Sequence, residues 1–206
     1  MIKYFLLPLL FICISYSGSA QKITSNQSTI ASKVDSLNQL AENLVRSQTD
    51  SALILTQKSI ELASPIDYKL GKGIALMYQS YCTSFKGKYA EALPIIEESI
   101  SFLEKTSNKH DLGFAYNQRA HLKERLGDIE QALKDYNKSV DYMKTGKTPS
   151  PKLNIVYNAL GGYYERRGNY ILSLKCLNTA LELSKKQNDQ ILEAISLSNI
   201  GNIHFF

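Results

Sequence analysis

The stretch NIVYNALGGYYERRGNYILSLKCLNTALEL, residues 154–183, decides the fold. It reads as two apolar-periodic segments hinged at Gly168. Small residues at Gly161, Ser173 and Ala180 fall where two helices can approach closely. The same spacing returns upstream: Ser173 is preceded by Ala132, Ala92 and Ala52 in steps of 41, 40 and 40, and seven positions after these stand Ala180, Ser139, Ser99 and Ser59. Leu181, Val140, Ile100 and Ile60 come next, and two further on Leu183, Tyr142, Phe102 and Leu62, so the register holds at several positions at once. A fixed period of 20 to 50 residues marks a solenoid, in which no unit buries its own apolar face.

Each unit reads as a helical hairpin. Gly87, Gly127 and Gly168 lie five positions before the small residue and separate two periodic segments, as a glycine at a helix C-terminus does. Seven residues before each glycine stands Ser80, Ala120 or Gly161, and four before those Leu76, Tyr116 or Tyr157. Tyr89, Ile129 and Tyr170 are predicted to open the second helices. Ile96, Tyr136 and Leu177, four after the small residue, share its helix face.

At these residues the chain resembles the tetratricopeptide repeat family. Tyr157 stands for the family's Trp, Leu160-Gly161 for its Leu-Gly, Tyr164 for its Tyr, Gly168-Asn169-Tyr170 for its turn, and Ser173 and Ala180 for its two alanines. The third unit departs, with Arg119 and Lys123 where the family has Leu and Tyr. The first lacks the turn glycine, and Leu37, Leu40, Ala41 and Leu44 fit only if its turn is one residue shorter. The resemblance implies an all-α fold, a right-handed α-solenoid of helical hairpins covering 33–72, 73–112, 113–153 and 154–193, with 194–206 as the first helix of an incomplete fifth unit. A period near 40 instead of the family's usual 34 is similar to that of members binding extended peptides.

The N-terminus reads as an export signal. Lys3 precedes an apolar run from Phe5 to Ile14 and a small-residue end at Gly18-Ser19-Ala20, predicting cleavage after Ala20 and an extracytoplasmic, periplasmic-type location. The run is shorter than the roughly 20 residues a span needs, so no stable membrane insertion is expected after cleavage. Ile12 before Cys13 argues against lipidation. Residues 21–32 have the polar composition of a flexible tether.

Catalytic chemistry finds no footing in the pattern. Gly146-Lys147-Thr148 lacks the first glycine of a phosphate loop, since Asp141 stands there, and the segment from Lys144 to Lys152 reads as a lengthened linker. His110, His121 and His204 lie in different units without a second ligand at i, i+4, so neither metal nor cofactor is implied. Cys82 and Cys176 are two units apart and are expected to be buried thiols. With 24 Lys plus Arg against 19 Asp plus Glu, the chain is mildly basic, but its charges are interspersed and form no nucleic-acid stripe.

What remains is the concave surface. By carry-over from the family, the first helices would present Tyr78, Tyr81 and Phe85, then Asn117, Gln118, His121 and Arg125, then Asn158 and Arg166, then Asn199 and Asn202. Amides at repeating positions suit the backbone of an extended protein or peptide ligand, and Arg125 and Arg166 suit its acidic groups. The alternative is an ordinary solvated face, with Glu124 and Glu165 neutralising the arginines. The Lys and Asn clamp that grips a C-terminal carboxylate in some family members is absent, which disfavours chaperone-tail binding. Leu197, Ile200-Gly201 and His204 repeat the start of the fourth unit at a shift of 40. An apolar end at Phe205-Phe206 is expected to promote self-association and suggests a piece of a longer protein. Two functional readings follow: an exported, non-catalytic binding scaffold, or the sensor region of a histidine kinase or helix-turn-helix regulator.

Overall fold

The computed structural model describes residues 7–145 and 149–203, with side chains from residue 25 onward. Among the described residues there are nine α-helices and one 3-10 turn, with no strand. They are α1 (Leu7–Leu44), α2 (Thr49–Ala63), α3 (Lys69–Phe85), α4 (Tyr89–Leu103), α5 (Lys109–Arg125), α6 (Ile129–Lys144), α7 (Leu153–Glu165), α8 (Tyr170–Gln187) and α9 (Gln190–Ile203), the 3-10 turn being Ser64–Ile66. The second helices open at Tyr89, Ile129 and Tyr170, as the pattern predicts. Helices pair as α1 with α2, α3 with α4, α5 with α6 and α7 with α8, and each second helix packs on the first helix of the next hairpin. The first helices α1, α3, α5, α7 and α9 also touch in series and form one layer.

Gly87, Gly127 and Gly168 take φ of 77°, 90° and 69°, a left-handed turn that a side chain would strain. The first hairpin has no such residue. It closes instead on a hydrogen bond from Gln48 N to Leu44 O at 2.8 Å, and Ala41 meets Ala52 in one buried cluster, the shorter interval its sequence requires.

The small residues form the seam. Ala52, Ala92, Ala132 and Ser173 have no exposed surface, nor do Ser59, Ser99, Ser139 and Ala180. Close approach leaves room for little else: a Cβ on Gly161 would lie 2.7 Å from Leu177 Cδ2. Serine hydroxyls bond across the seam to backbone, Ser80 to Ala92 O at 2.9 Å, Ser99 to Gly73 O at 2.6 Å and Ser173 to Gly161 O at 2.8 Å. A serine is acceptable at these three places because its hydroxyl reaches an acceptor, whereas the equally buried Ser139 hydroxyl has no partner. Around the seam, Ile96, Tyr136 and Leu177 are fully or almost fully buried. Cys82 and Cys176 are buried free thiols in separate clusters.

The third hairpin meets its departure from the family pattern with an ion triad. Arg119 grips Asp135 with two bonds of 2.8 Å, and Lys123 Nζ lies 3.0 Å from the same carboxylate, whose side chain is 4% exposed. Asp135 occupies the place of Ile95 in the second unit and Cys176 in the fourth, so two cations and one anion replace an apolar contact.

Three expectations change. Residues 21–32, read as a tether, continue α1, with Thr29 Oγ1 bonded to Ser25 O at 3.0 Å. Once residues 34–44 are packed, each further turn costs no new nucleation, so a polar sequence can extend the helix. The last helix begins at Gln190, four residues before the expected Ala194, because Asp189 Oδ1 caps the N–H of Leu192 at 3.0 Å. The connection after α6 is not a plain linker: Ser150 N returns to Met143 O at 2.8 Å, and Lys152 turns into the first-helix face. Gly146-Lys147-Thr148, His204 and Phe205-Phe206 lie outside the described residues. No helix among the described residues is long and apolar enough to cross a membrane.

Candidate functional site

The face made by the first helices carries an aromatic row. Tyr78 and Tyr81 of α3 have ring centroids 6.3 Å apart, and Tyr81 stacks on Phe114 of α5 at 5.5 Å and 26°. Their spacing follows from helical geometry: three residues bring Tyr78 and Tyr81 to one face, and α5 supplies the ring between them and α7. Burial pushes both phenols above their ordinary range, so they stay neutral and present apolar ring surface, while their oxygens accept from Lys152 and Asn117.

Beyond Tyr81 the row opens into a groove of about 430 Å³ lined by Arg46, Phe85, Tyr89, Asn117, Gln118, His121 and Arg125 among others. Phe85 is 52% exposed. Arg125 places its guanidinium 4.8 Å from the Tyr89 ring centroid, and neither Arg46 nor Arg125 forms an ion pair with a carboxylate among the described residues. A neighbouring pocket of about 670 Å³ shares His121 and Arg125 and adds Glu124, Ile129, Arg166 and Arg167. Six of the eleven expected residues thus meet in one groove, and Arg166 joins two of them next door.

The amides do not form the expected open ladder. Gln118 is 1% exposed and donates to Ser84 Oγ at 3.1 Å. Asn158 donates to Ser196 Oγ at 2.9 Å and accepts from Asn199 at 3.4 Å, tying α7 to α9. Asn117 is 6% exposed, donates to Tyr81 Oη at 3.4 Å, and keeps a buried Oδ1 without a partner. These side chains hold one first helix to the next, because the helix layer is close enough for amides to bridge it. Tyr78 is 3% exposed and lies outside the groove, while Asn202 is exposed on α9, also outside it.

The charge pairing also differs from both sequence readings. Glu124, not Glu165, takes Arg166, through two bonds of 2.9 Å, and it takes Arg167 as well, leaving Arg125 unneutralised. Burial alone would raise the Glu124 carboxyl, but hydrogen bonds from Arg166 and Arg167 hold it below the usual carboxylate range. Burial lowers the His121 imidazole, with Arg125 and Arg166 pushing the same way against Glu124, so His121 is neutral near pH 7. The arrangement therefore offers one solvated guanidinium on a tyrosine, a second at Arg46, and apolar ring surface between. It has the chemistry to hold a carboxylate beside an apolar side chain. Among the described residues no group of three or more His, Cys, Asp and Glu is placed to hold a metal.

Sequence reasoning missed three residues here. Arg46 sits in the shortened first turn, where no repeat register points at it. Tyr89 opens a second helix, and the candidate face was drawn from first helices alone. Lys152 belongs to the connection whose length alone had drawn notice.

Residues 115–142 match the family model described as tetratricopeptide repeat. No curated protein matches the chain. Among solved structures, kinesin light chain nearly identical TPR-like repeats from Podosopora anserina align at a TM-score of 0.60 and 14% identity, covering 84% of this chain and 85% of that one. BtubC (BKLC) from P. vanneervenii aligns at 0.59 and 13%, covering 76% of this chain and 65% of the other, so this chain spans just under two thirds of that neighbour's length. At these identities the likeness is one of fold. The hairpin seam, the left-handed turns and the match at 115–142 together make this chain a tetratricopeptide-like α-solenoid.

Proposed function

We propose that the chain is an exported, non-catalytic scaffold that binds an extended polypeptide in the first-helix groove, with an acidic side chain of the ligand at Arg125 and Arg46 and an apolar or aromatic one on Phe85 and Tyr89. Tetratricopeptide arrays are protein-interaction scaffolds, and this groove has the composition such a role needs. The observation that carries the reading is the pair of unneutralised arginines beside exposed ring surface. A solvated face would spend those charges on neighbouring carboxylates, as Arg166 and Arg167 are spent on Glu124. The acidic subsite is thus narrower than an Arg125–Arg166 pair.

Export rests on the order Lys3, apolar run, Gly18-Ser19-Ala20. Mass spectrometry of the protein from its own host should find a species beginning at Gln21, and an intact Met1 in the cytoplasm would contradict it. For binding, a displayed random peptide library selected on the folded chain should enrich Asp or Glu next to an aromatic residue. Enrichment that survives Arg46→Ala with Arg125→Ala, or no enrichment, would remove the reading.

A further inference from the structure

In a repeat array each unit contacts its sequence neighbours, so a bond from the first unit to the connection between the third and fourth is not part of the architecture. One such bond is present. Lys152, which precedes α7, sends its ammonium to Glu42 of α1 at 2.5 Å. On the way it lies 2.9 Å from Tyr78 Oη of α3 and 4.9 Å from the Phe114 ring centroid of α5. One ammonium therefore touches three first helices while its backbone leads into a fourth. It is the cation in a notch of about 430 Å³ that Asp35, Glu42 and Asp111 line with their carboxylates. Ring faces below and a carboxylate beside it fit an ammonium, and both ends of the pair are partly screened from water, at 26% and 31% side-chain exposure.

We propose that Glu42 and Lys152 form a latch that closes the first-helix face between the first hairpin and the α6–α7 connection, and that its release widens this face and uncovers the aromatic row. Lys152 lies over the rings of Tyr78 and Phe114, and Phe114, together with the Tyr81 stacked on it, also lines the open groove next to it. A polypeptide lying along the whole face has to displace Lys152. A shorter one occupying only the Arg46 and Arg125 end does not. The curvature of the array is then set by one ion pair in addition to the repeat interfaces, and salt weakens that pair.

The test uses the full chain, with Lys152→Met, Glu42→Gln, the double variant, and the charge swap Glu42→Lys with Lys152→Glu. Amide exchange and small-angle scattering are measured on each, with circular dichroism as the check on folding. A latch predicts that either single variant lowers protection in residues 30–44 and 149–157 by about two- to fivefold. It also predicts an increased radius of gyration, no further change in the double variant, and partial restoration in the swap. High salt should shift the wild type in the same direction. Unchanged exchange in those two segments, or loss spread evenly along the chain, overturns the latch. Should Lys152→Met fail to fold, Glu42→Gln and the salt series decide alone.

Discussion

The hairpin seam and the first-helix groove are built from the same helices, yet only the seam repeats. At the seam every unit meets the same partner in the same geometry, so Ala52, Ala92, Ala132 and Ser173 face one constraint four times and all are fully buried. In the groove each position meets something different: Arg125 stacks on Tyr89, its counterpart Arg166 is held by Glu124, and their neighbours Gln118 and Asn158 bridge helices. Repetition marks what the fold needs. Departure from it marks where this chain has an arrangement of its own.

The third hairpin crosses that line, since its triad departs from the pattern but is structural. Asp135→Ala should give the largest effect of any single change, about 3–5 kcal/mol, because it leaves Arg119 and Lys123 without their anion in a largely buried site. Replacing all three together, Arg119→Leu, Lys123→Tyr and Asp135→Ile, should be neutral or stabilising in the same denaturant titration. Equal losses in the two variants would mean that the triad does more than fill the place of an apolar contact.

At the seam, Ala132→Phe should overpack the hairpin and cost about 1–3 kcal/mol, read as a lower midpoint with an unchanged slope. The seam was legible in the sequence because close approach admits few residue types, so the constraint shows as composition at fixed spacing. The turns were legible for the same reason, glycine being the residue that takes positive φ without strain. The groove was half legible. The family resemblance put Tyr81, Phe85, Asn117, Gln118, His121 and Arg125 on one face, but whether an Arg or Asn is free depends on a partner some 40 residues away that no period announces. Arg46 and Lys152 lie in connections, outside any repeat register. The helix through 21–32 was missed because polar composition describes what a segment cannot bury and says nothing of a helix that extends from a packed one.

Glu124 sharpens the comparison through pH. Its folded-state pKa lies below its unfolded value, so its contribution to stability is present above the usual carboxylate range and is lost as pH falls through the depressed folded value. Thermal melts should show this loss on acidification, and Glu124→Gln should flatten it. An equally steep acid limb in that variant would place the titration elsewhere.

The smallest stability effects belong to the groove. Phe85→Ala and Arg125→Ala should each change unfolding free energy by no more than about 0.5 kcal/mol, since neither side chain is buried at the seam. A larger loss would make the groove part of the scaffold.

The most direct test of the account is fluorescence anisotropy with a labelled decapeptide pool of alternating acidic and aromatic residues, and a lysine-for-acid pool as control, titrated with the wild-type chain and the Arg46→Ala, Arg125→Ala variant. The account predicts saturable binding of the acidic pool, no binding of the control, and at least about a tenfold weaker affinity in the variant at an unchanged melting temperature. Binding of equal strength by the variant, or failure of the acidic pool to bind the wild type, would contradict it.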